Sequence, residues 1–301
     1  MTDTVVESGQ DYRAAALVWA RRLATIAGSV AAIVALWEAY KWMGGQTGDE
    51  WPLTSIGLPV SSDDLTMPHA ADIFGSFWEP VQRGRSETLA VFLTKAAWFT
   101  LKEAAIGFVL GTVIGLGLAA LMLRSKVLER GILPWINISQ TVPLIALAPI
   151  VVTWGRTNGW GDVLSVALIA TYLTFFPVAV NGLKGLQSPD VADVELMRSY
   201  ASGWGQTLWK VRLPAARPYL FPAFKLAATL SVVGAIVGEI SAGVRGGLGR
   251  AILDFAGRYS TGPAKVYAAV IGAGLLGLAV FGLVSAAERF FIRGPREAST
   301  V

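Results

Sequence analysis

The sequence predicts an all-α, polytopic membrane protein with six transmembrane helices, and three observations carry that reading. Hydrophobic residues make up 53% of the 301-residue chain and charged residues only 15%, against roughly 25% charge in a soluble domain. Mean hydropathy is +0.53, too high for a chain that must cover its whole surface with water-facing groups. The apolar residues are gathered into runs of about 20, the length a helix needs to cross a hydrocarbon core of about 30 Å.

The net charge of +4 does not point to nucleic acid. Lys and Arg stand in short clusters at the ends of apolar runs, where they hold loops at an anionic membrane surface, and no basic stripe is interleaved with aromatics. The absence of cysteine excludes disulfides, thiolate catalysis and cysteine-ligated metals. His69 is the single histidine and cannot build a histidine-rich metal site.

Residues 1–22 read as a cytoplasmic tail. Asp3, Glu7 and Asp11 and the Arg21–Arg22 pair precede the first apolar run, the pattern of a retained span with its N-terminus inside rather than of a cleaved leader. The first span is expected over Leu23–Met43, with Glu38 near its outer end, so that residues 23–93 hold this helix and a long external segment. Asp49, Glu50, Asp63, Asp64, Asp72 and Glu79 make that segment acidic.

A core at 94–293 holds the other five spans: Ala97–Leu123, Gly131–Gly155, Asp162–Leu183, Tyr219–Ile240 and Lys265–Phe291. Pro134, Pro143 and Pro149 predict a kinked or broken third span. Gly107, Gly111 and Gly115 recur every fourth residue, and Gly272, Gly274 and Gly277 crowd the last span, so both mark close helix packing. Basic clusters at 124–130, 184–217 and 289–296, together with Arg21–Arg22, place both termini in the cytoplasm and 294–301 as a cytoplasmic tail. The loop 241–264, with Arg245, Arg250 and Arg258, runs mildly against this sidedness.

The connection 186–217 between the fourth and fifth spans is the most informative stretch. Ser188 and Pro189 form a helix start. Val191, Val194, Met197 and Ala201 follow a helical rhythm on one face, and Gly203 is a plausible stop. A short amphipathic helix outside the membrane is a docking element.

This stretch resembles the coupling loop of binding-protein-dependent ABC importers of the type I fold. That family's signature is Glu-Ala-Ala, three residues, Gly, nine residues, then Ile-x-Leu-Pro. Here it reads Glu195, Leu196, Met197, then Ala201 in place of glycine, then Val211, Leu213 and Pro214 without a gap. The stretches Thr141–Pro149 and Val237–Ile240 resemble the nitrate, sulfonate, taurine and bicarbonate branch, and Tyr172–Pro177 also fits importers of pyrimidine and riboflavin-type heterocycles.

The resemblance implies a permease in the cell membrane whose partners are a second permease copy, two ATP-binding subunits and an extracytoplasmic solute-binding protein. It implies no cofactor on this chain, with ATP and Mg bound by the partner ATPase. Glu195, Leu196, Met197, Arg198, Ser199, Tyr200, Ala201, Leu213 and Pro214 would carry the coupling. Within that set Glu195 and Arg198 would be polar contacts, and Met197 and Tyr200 apolar anchors. Thr141, Pro143 and Glu239 would line the pathway or face the external partner, or Glu239 would sit in water at the outer interface beside Arg245 or Arg250.

Lys225 and Glu38 are expected to reach the interface. Gly243–Gly249 lacks the Lys-Ser/Thr of a nucleotide-binding loop, and no Gly-Lys dipeptide occurs in the chain, so ATP hydrolysis belongs elsewhere; this loop is expected to be flexible. The alternative, a secondary transporter or channel, would need a coupling carboxylate at mid-membrane. Glu103 comes nearest and lies toward one end of the second span. The substrate is expected to be a small oxyanion or sulfonate, attracted by the basic loop, or a heterocycle of the pyrimidine or riboflavin type.

Overall fold

The computed structural model describes residues 3–50, 57–82 and 86–291; within helices the side chains of residues 3–19, 22, 23 and 261 are not described. Arg293 and Arg296, and the side chains of Asp3, Glu7, Asp11 and Arg22, therefore lie outside the described residues. The helices are α1 (Asp3–Thr47), α2 (Ala70–Ser76), α3 (Leu89–Arg124), α4 (Lys126–Ser139), α5 (Leu144–Thr157) and α6 (Gly161–Leu186). They continue with α7 (Val191–Ser199), α8 (Trp204–Thr207), α9 (Leu213–Ala242), α10 (Leu248–Ala256) and α11 (Pro263–Phe291). The chain divides into two compact units, one of residues 1–77 with 258–265 and one of 78–257 with 266–301.

In the first unit, polar side chains of α1 staple the segment that follows it. Lys41 is buried and donates to Asp64 Oδ1 at 2.6 Å and to the Met67 carbonyl at 2.5 Å. Glu38 accepts from the Ala70 amide at 2.7 Å and meets His69 Nδ1 at 2.8 Å, so it is fixed at the start of α2 rather than free at the interface. Asp49, at φ 64°, accepts from the Ser62 amide and the Ser61 hydroxyl. The Thr66 amide donates to Asp63 Oδ1 at 2.8 Å. Hydrogen bonds from Ser62 and Ser61, from Thr66 and from Lys41 hold the Asp49, Asp63 and Asp64 carboxyls, respectively, below the usual carboxylate range.

The second unit is built on α3, α6 and α9. The stripe Gly107, Gly111, Gly115 lets the backbone of α3 close on α6: a Cβ on Gly107 would meet that of Ala170 at 2.4 Å, and one on Gly111 that of Thr174 at 2.5 Å. Val166, Ile169 and Val232 fill one end of the resulting core, and Met122, Leu183 and Leu220 the other. The glycines of the last span behave differently. Gly274 and Gly277 have no neighbour within 4 Å of a built Cβ, so the packing expected there is not made within the chain.

Among the described residues four helices are long and apolar enough to cross a membrane: α3, α6, the continuous Trp204–Ala242 and α11. A fifth is counted if α4 and α5 are taken together, bent by 96° at their junction. Each of these two has 14 residues, about 21 Å at 1.5 Å per residue, short of the ~30 Å core. Their break falls at Thr141–Pro143, where proline cannot continue the amide ladder. The sixth expected span, in α1, is not among them; Glu38 and Lys41 lower the apolarity of its described end, and Leu23 opens it outside the described side chains.

Lys225 does not reach the interface alone. It pairs with Glu288 of α11 at 2.5 Å, both side chains mostly buried, and its ammonium lies 5.9 Å from the Phe281 ring centroid.

Candidate functional site: the α6–α9 loop and the far end of α9

The loop between α6 and α9 is mostly helical. Helix α7 starts at Val191 with Asp190 as its N-cap, two residues later than Ser188–Pro189 suggests; the Ser188 hydroxyl instead donates back to the Gly185 carbonyl of α6 at 2.7 Å. It also stops before Gly203. Ala201, at φ 53°, takes the left-handed position, with its amide bonded to the Arg198 carbonyl and that of Ser202 to Met197. That pair of bonds is the Schellman ending usually built on glycine. Gly203 instead precedes α8 as its N-cap.

The chain then runs without interruption through α8 and a π-helical turn, Leu208–Arg212, into α9. Leu213 and Pro214 thus lie inside a continuous helix rather than in a loop: the Leu213 amide bonds the Leu208 carbonyl, and Pro214, which has no N–H to place, follows the π-helical turn.

Helix α7 presents two faces. One borders a cleft of about 380 Å3 shared with Lys126, Glu129, Gln187 and Arg212, into which Glu195 and Arg198 face. Gln187 Nε2 donates to Glu129 at 3.0 Å and Arg212 to the Leu186 carbonyl at 2.7 Å, tying the base of the loop to α4 and α6. The other face leaves Leu196 54% and Tyr200 74% exposed, whereas Val194 and Met197 are half-buried. Ser199 lies on this outer side, its hydroxyl returned to the Leu196 carbonyl. Leu196 and Tyr200, one turn apart, thus share one exposed face of a short helix.

Thr141 and Pro143 sit at the corner between α4 and α5. The Thr141 hydroxyl bonds the Ile138 carbonyl at 2.8 Å, and Pro143 is the N-cap of α5.

At the other end of α9, Glu239 is fully buried and pairs with neither Arg245 nor Arg250. Its carboxylate accepts from the Gly249 amide at 2.6 Å and the Thr100 hydroxyl at 2.7 Å, while the Thr100 oxygen also accepts from the Leu248 amide at 2.9 Å. Gly247 and Gly249 make the approach possible, since a Cβ on either would fall within 3.0 Å of the Glu239 side chain. The loop expected to be flexible is thus tied down at its far end, where Leu248 and Gly249 open α10, and Val244, Leu248, Ala251 and Phe255 are buried. Arg250 is neutralised by Asp254 at 2.9 Å, which weakens the electrostatic argument for an anionic substrate.

Residues 111–293 match the model of the family described as binding-protein-dependent transport system inner membrane component. The chain belongs to this family. As a member it is a transport permease of the ABC importer type, with ATP hydrolysis on a separate subunit.

Among its relatives, the permease is 34% identical to the formylaminopyrimidine transport permease protein ThiX of Halalkalibacterium halodurans, over 64% of this chain and 74% of that one. It is 30% identical to the riboflavin transport system permease protein RibX of Chloroflexus aurantiacus, over 81% and 91%. The putative aliphatic sulfonates transport permease protein SsuC of Bacillus subtilis is 27% identical over 87% and 84%. The fold is that of the inward-facing MetNI methionine ABC transporter chain, with a TM-score of 0.61 at 20% identity over 69% of the permease and all of that chain.

Two features of the permease were not read from its sequence. The π-helical turn has no sequence signal that we can identify. The cradle around Glu239 does have one, the Gly247-Leu248-Gly249 run a few residues beyond a carboxylate at a helix end.

Proposed function

We propose that the permease imports a small solute at the expense of ATP hydrolysed by two partner subunits, each gripping one α7 of a homodimer from the cytoplasm. In this reading six helices span the cell membrane, α1 among them, both termini are cytoplasmic, and a solute-binding protein docks outside. The observation that carries it is the outer face of α7, where Leu196 and Tyr200 stand in water on the segment that bears the Glu195–Pro214 signature. Burying those two side chains supplies apolar driving force, and Ser199 between them adds a polar contact. Glu195 and Arg198, directed at the cleft, act as rim charges that transmit tilting of α7 to α4. A ligand shifts a two-state equilibrium only by its differential affinity, and α7 is where the difference between ATP-bound and ATP-free partners enters the membrane.

For the substrate, likeness to the formylaminopyrimidine permease at 34% identity and to the riboflavin permease over 81% of this chain favours a heterocycle of the pyrimidine or riboflavin class, with sulfonates, taurine and nitrate the second class. The test is co-expression with nucleotide-binding subunits and measurement of co-purification and transport-coupled ATPase activity. Leu196→Ala with Tyr200→Ala should release the ATPase while leaving the permease folded. A doubly substituted permease that retains its ATPase at full affinity would overturn the assignment of the docking face.

A further inference from the structure

Glu103 of α3 is the one described carboxyl with both oxygens buried and no hydrogen-bond donor. It faces the carboxyl of Glu239, whose own oxygens are engaged by Thr100 and Gly249. The charged groups of the elements around them do not compensate. On α6, Asp162 is held by Arg156 of α5; on α10, Arg250 is turned to Asp254; on α3, Lys102 lies over Trp98; and on α11, Glu288 is paired with Lys225 of α9. Glu103 lies one turn along α3 from Thr100, which bonds Glu239. Two neighbouring carboxyl groups, both withdrawn from water and with no cation paired to either among the described residues, cannot both be ionised.

We propose that Glu103 and Glu239 form a binding site for one proton, carried by Glu103 and donated to Glu239. Glu239 then remains the anion that seats the N-terminus of α10. Two facts support this division of roles. Glu239 already accepts from an amide and a hydroxyl, so an anion there is favoured by the N-terminal amides of α10 and by Thr100. Glu103 has no donor, so the neutral acid is the form that satisfies it, by giving its O–H to Glu239. The glycine-rich loop is thus an anion cradle filled by the chain's own side chain, and the shared proton is what lets the cradle close. Losing it would place two negative charges in one dry space and loosen α10 from α3 and α9. The site lies at the end of α9 remote from the coupling loop, which the proposed function places outside.

The test uses the full-length permease in detergent, where sidedness does not enter and a failure of the importer reading leaves the result unaffected. Infrared spectroscopy should show a protonated-carboxyl C=O band that shifts in D2O and disappears in Glu103→Gln. Absence of any band sensitive to that substitution would overturn the proposal, as would a band that grows only when sodium and potassium are removed, which would mean a metal cation fills the site.

The latch is read separately. The chain has no native cysteine, so Ala251→Cys on the buried face of α10 reports release through maleimide labelling. Labelling should stay slow in the Glu103→Gln background, whose amide still donates. It should accelerate by about tenfold or more in Glu239→Ala, which removes charge-assisted hydrogen bonds. Glu239→Gln serves where the alanine variant does not fold, with the same direction expected. Unchanged labelling in the folded Glu239 variant would remove the latch.

Discussion

Ala201 closes α7 at φ 53°, a conformation in which an L side chain brings its Cβ against the following carbonyl. Such residues cost about 1 kcal/mol or slightly more relative to glycine. Ala201→Gly removes that cost and forfeits part of it again through the greater freedom of glycine in the frayed state, leaving a net gain of about 0.5–1 kcal/mol.

The gain concentrates on the two bonds that end the helix, Ala201 N–H to Arg198 and Ser202 N–H to Met197. Local opening there should fall about two- to fivefold. Amide hydrogen exchange of α7, followed by mass spectrometry of peptides spanning 195–203, reads that change directly. Ala201→Val provides the opposite sign, since a β-branched side chain fits the left-handed region worse still. A stiffer α7 should also bind its ATPase more tightly, because less ordering remains to be done on docking. Equal or faster exchange in Ala201→Gly would refute the argument that this turn is strained.

Removing one partner of the Lys225–Glu288 pair should destabilise the permease by about 3–5 kcal/mol, and Lys225→Met with Glu288→Leu should recover most of it; thermal unfolding in detergent compares the three. Gly107→Ala drives a methyl into Ala170 at 2.4 Å and should cost about 1–3 kcal/mol by overpacking, whereas Gly117→Ala, with nothing within 4 Å, should leave the melting temperature unchanged. Asp49, Asp63 and Asp64 have folded-state pKa values lowered by their hydrogen bonds and by Lys41. Their contribution is therefore complete above the unfolded value near pH 3.9 and lost as pH falls through the lower folded values. Proteolytic protection of the 57–76 segment should vanish on acidification below about pH 4 and return on neutralisation.

Much of this protein was legible in one dimension because bilayer and helix impose regular periods. Runs of apolar residues located α6 and α11 within a few residues and the cores of α3 and α9, since a helix in lipid must satisfy its own backbone. Helix α3 starts earlier, at Leu89 rather than Ala97, and α9 at Leu213 rather than Tyr219, because outside lipid a helix can continue through polar residues. The Glu195–Pro214 spacing pointed to the family that residues 111–293 match, because a family signature is itself linear. Gly107, Gly111 and Gly115 gave the packing seam because every fourth residue lies on one face.

What required tertiary structure were the interactions between residues far apart in the chain. The third span could be read as kinked or broken, but not as two short helices meeting at 96°. Lys225 looked like an interfacial charge until α9 and α11 were side by side and Glu288 stood against it. Glu239 could not be distinguished from a solvated carboxylate, because its ligands are Thr100, well over a hundred residues earlier, and amides that exist as donors only once α10 has formed. A backbone N–H bears no mark in the sequence, and desolvation depends on every neighbour at once. Sequence alone therefore determined the family, the long apolar helices of the second unit and the place of the α6–α9 loop between two of them, while the fold decided which charges are buried and what they bind.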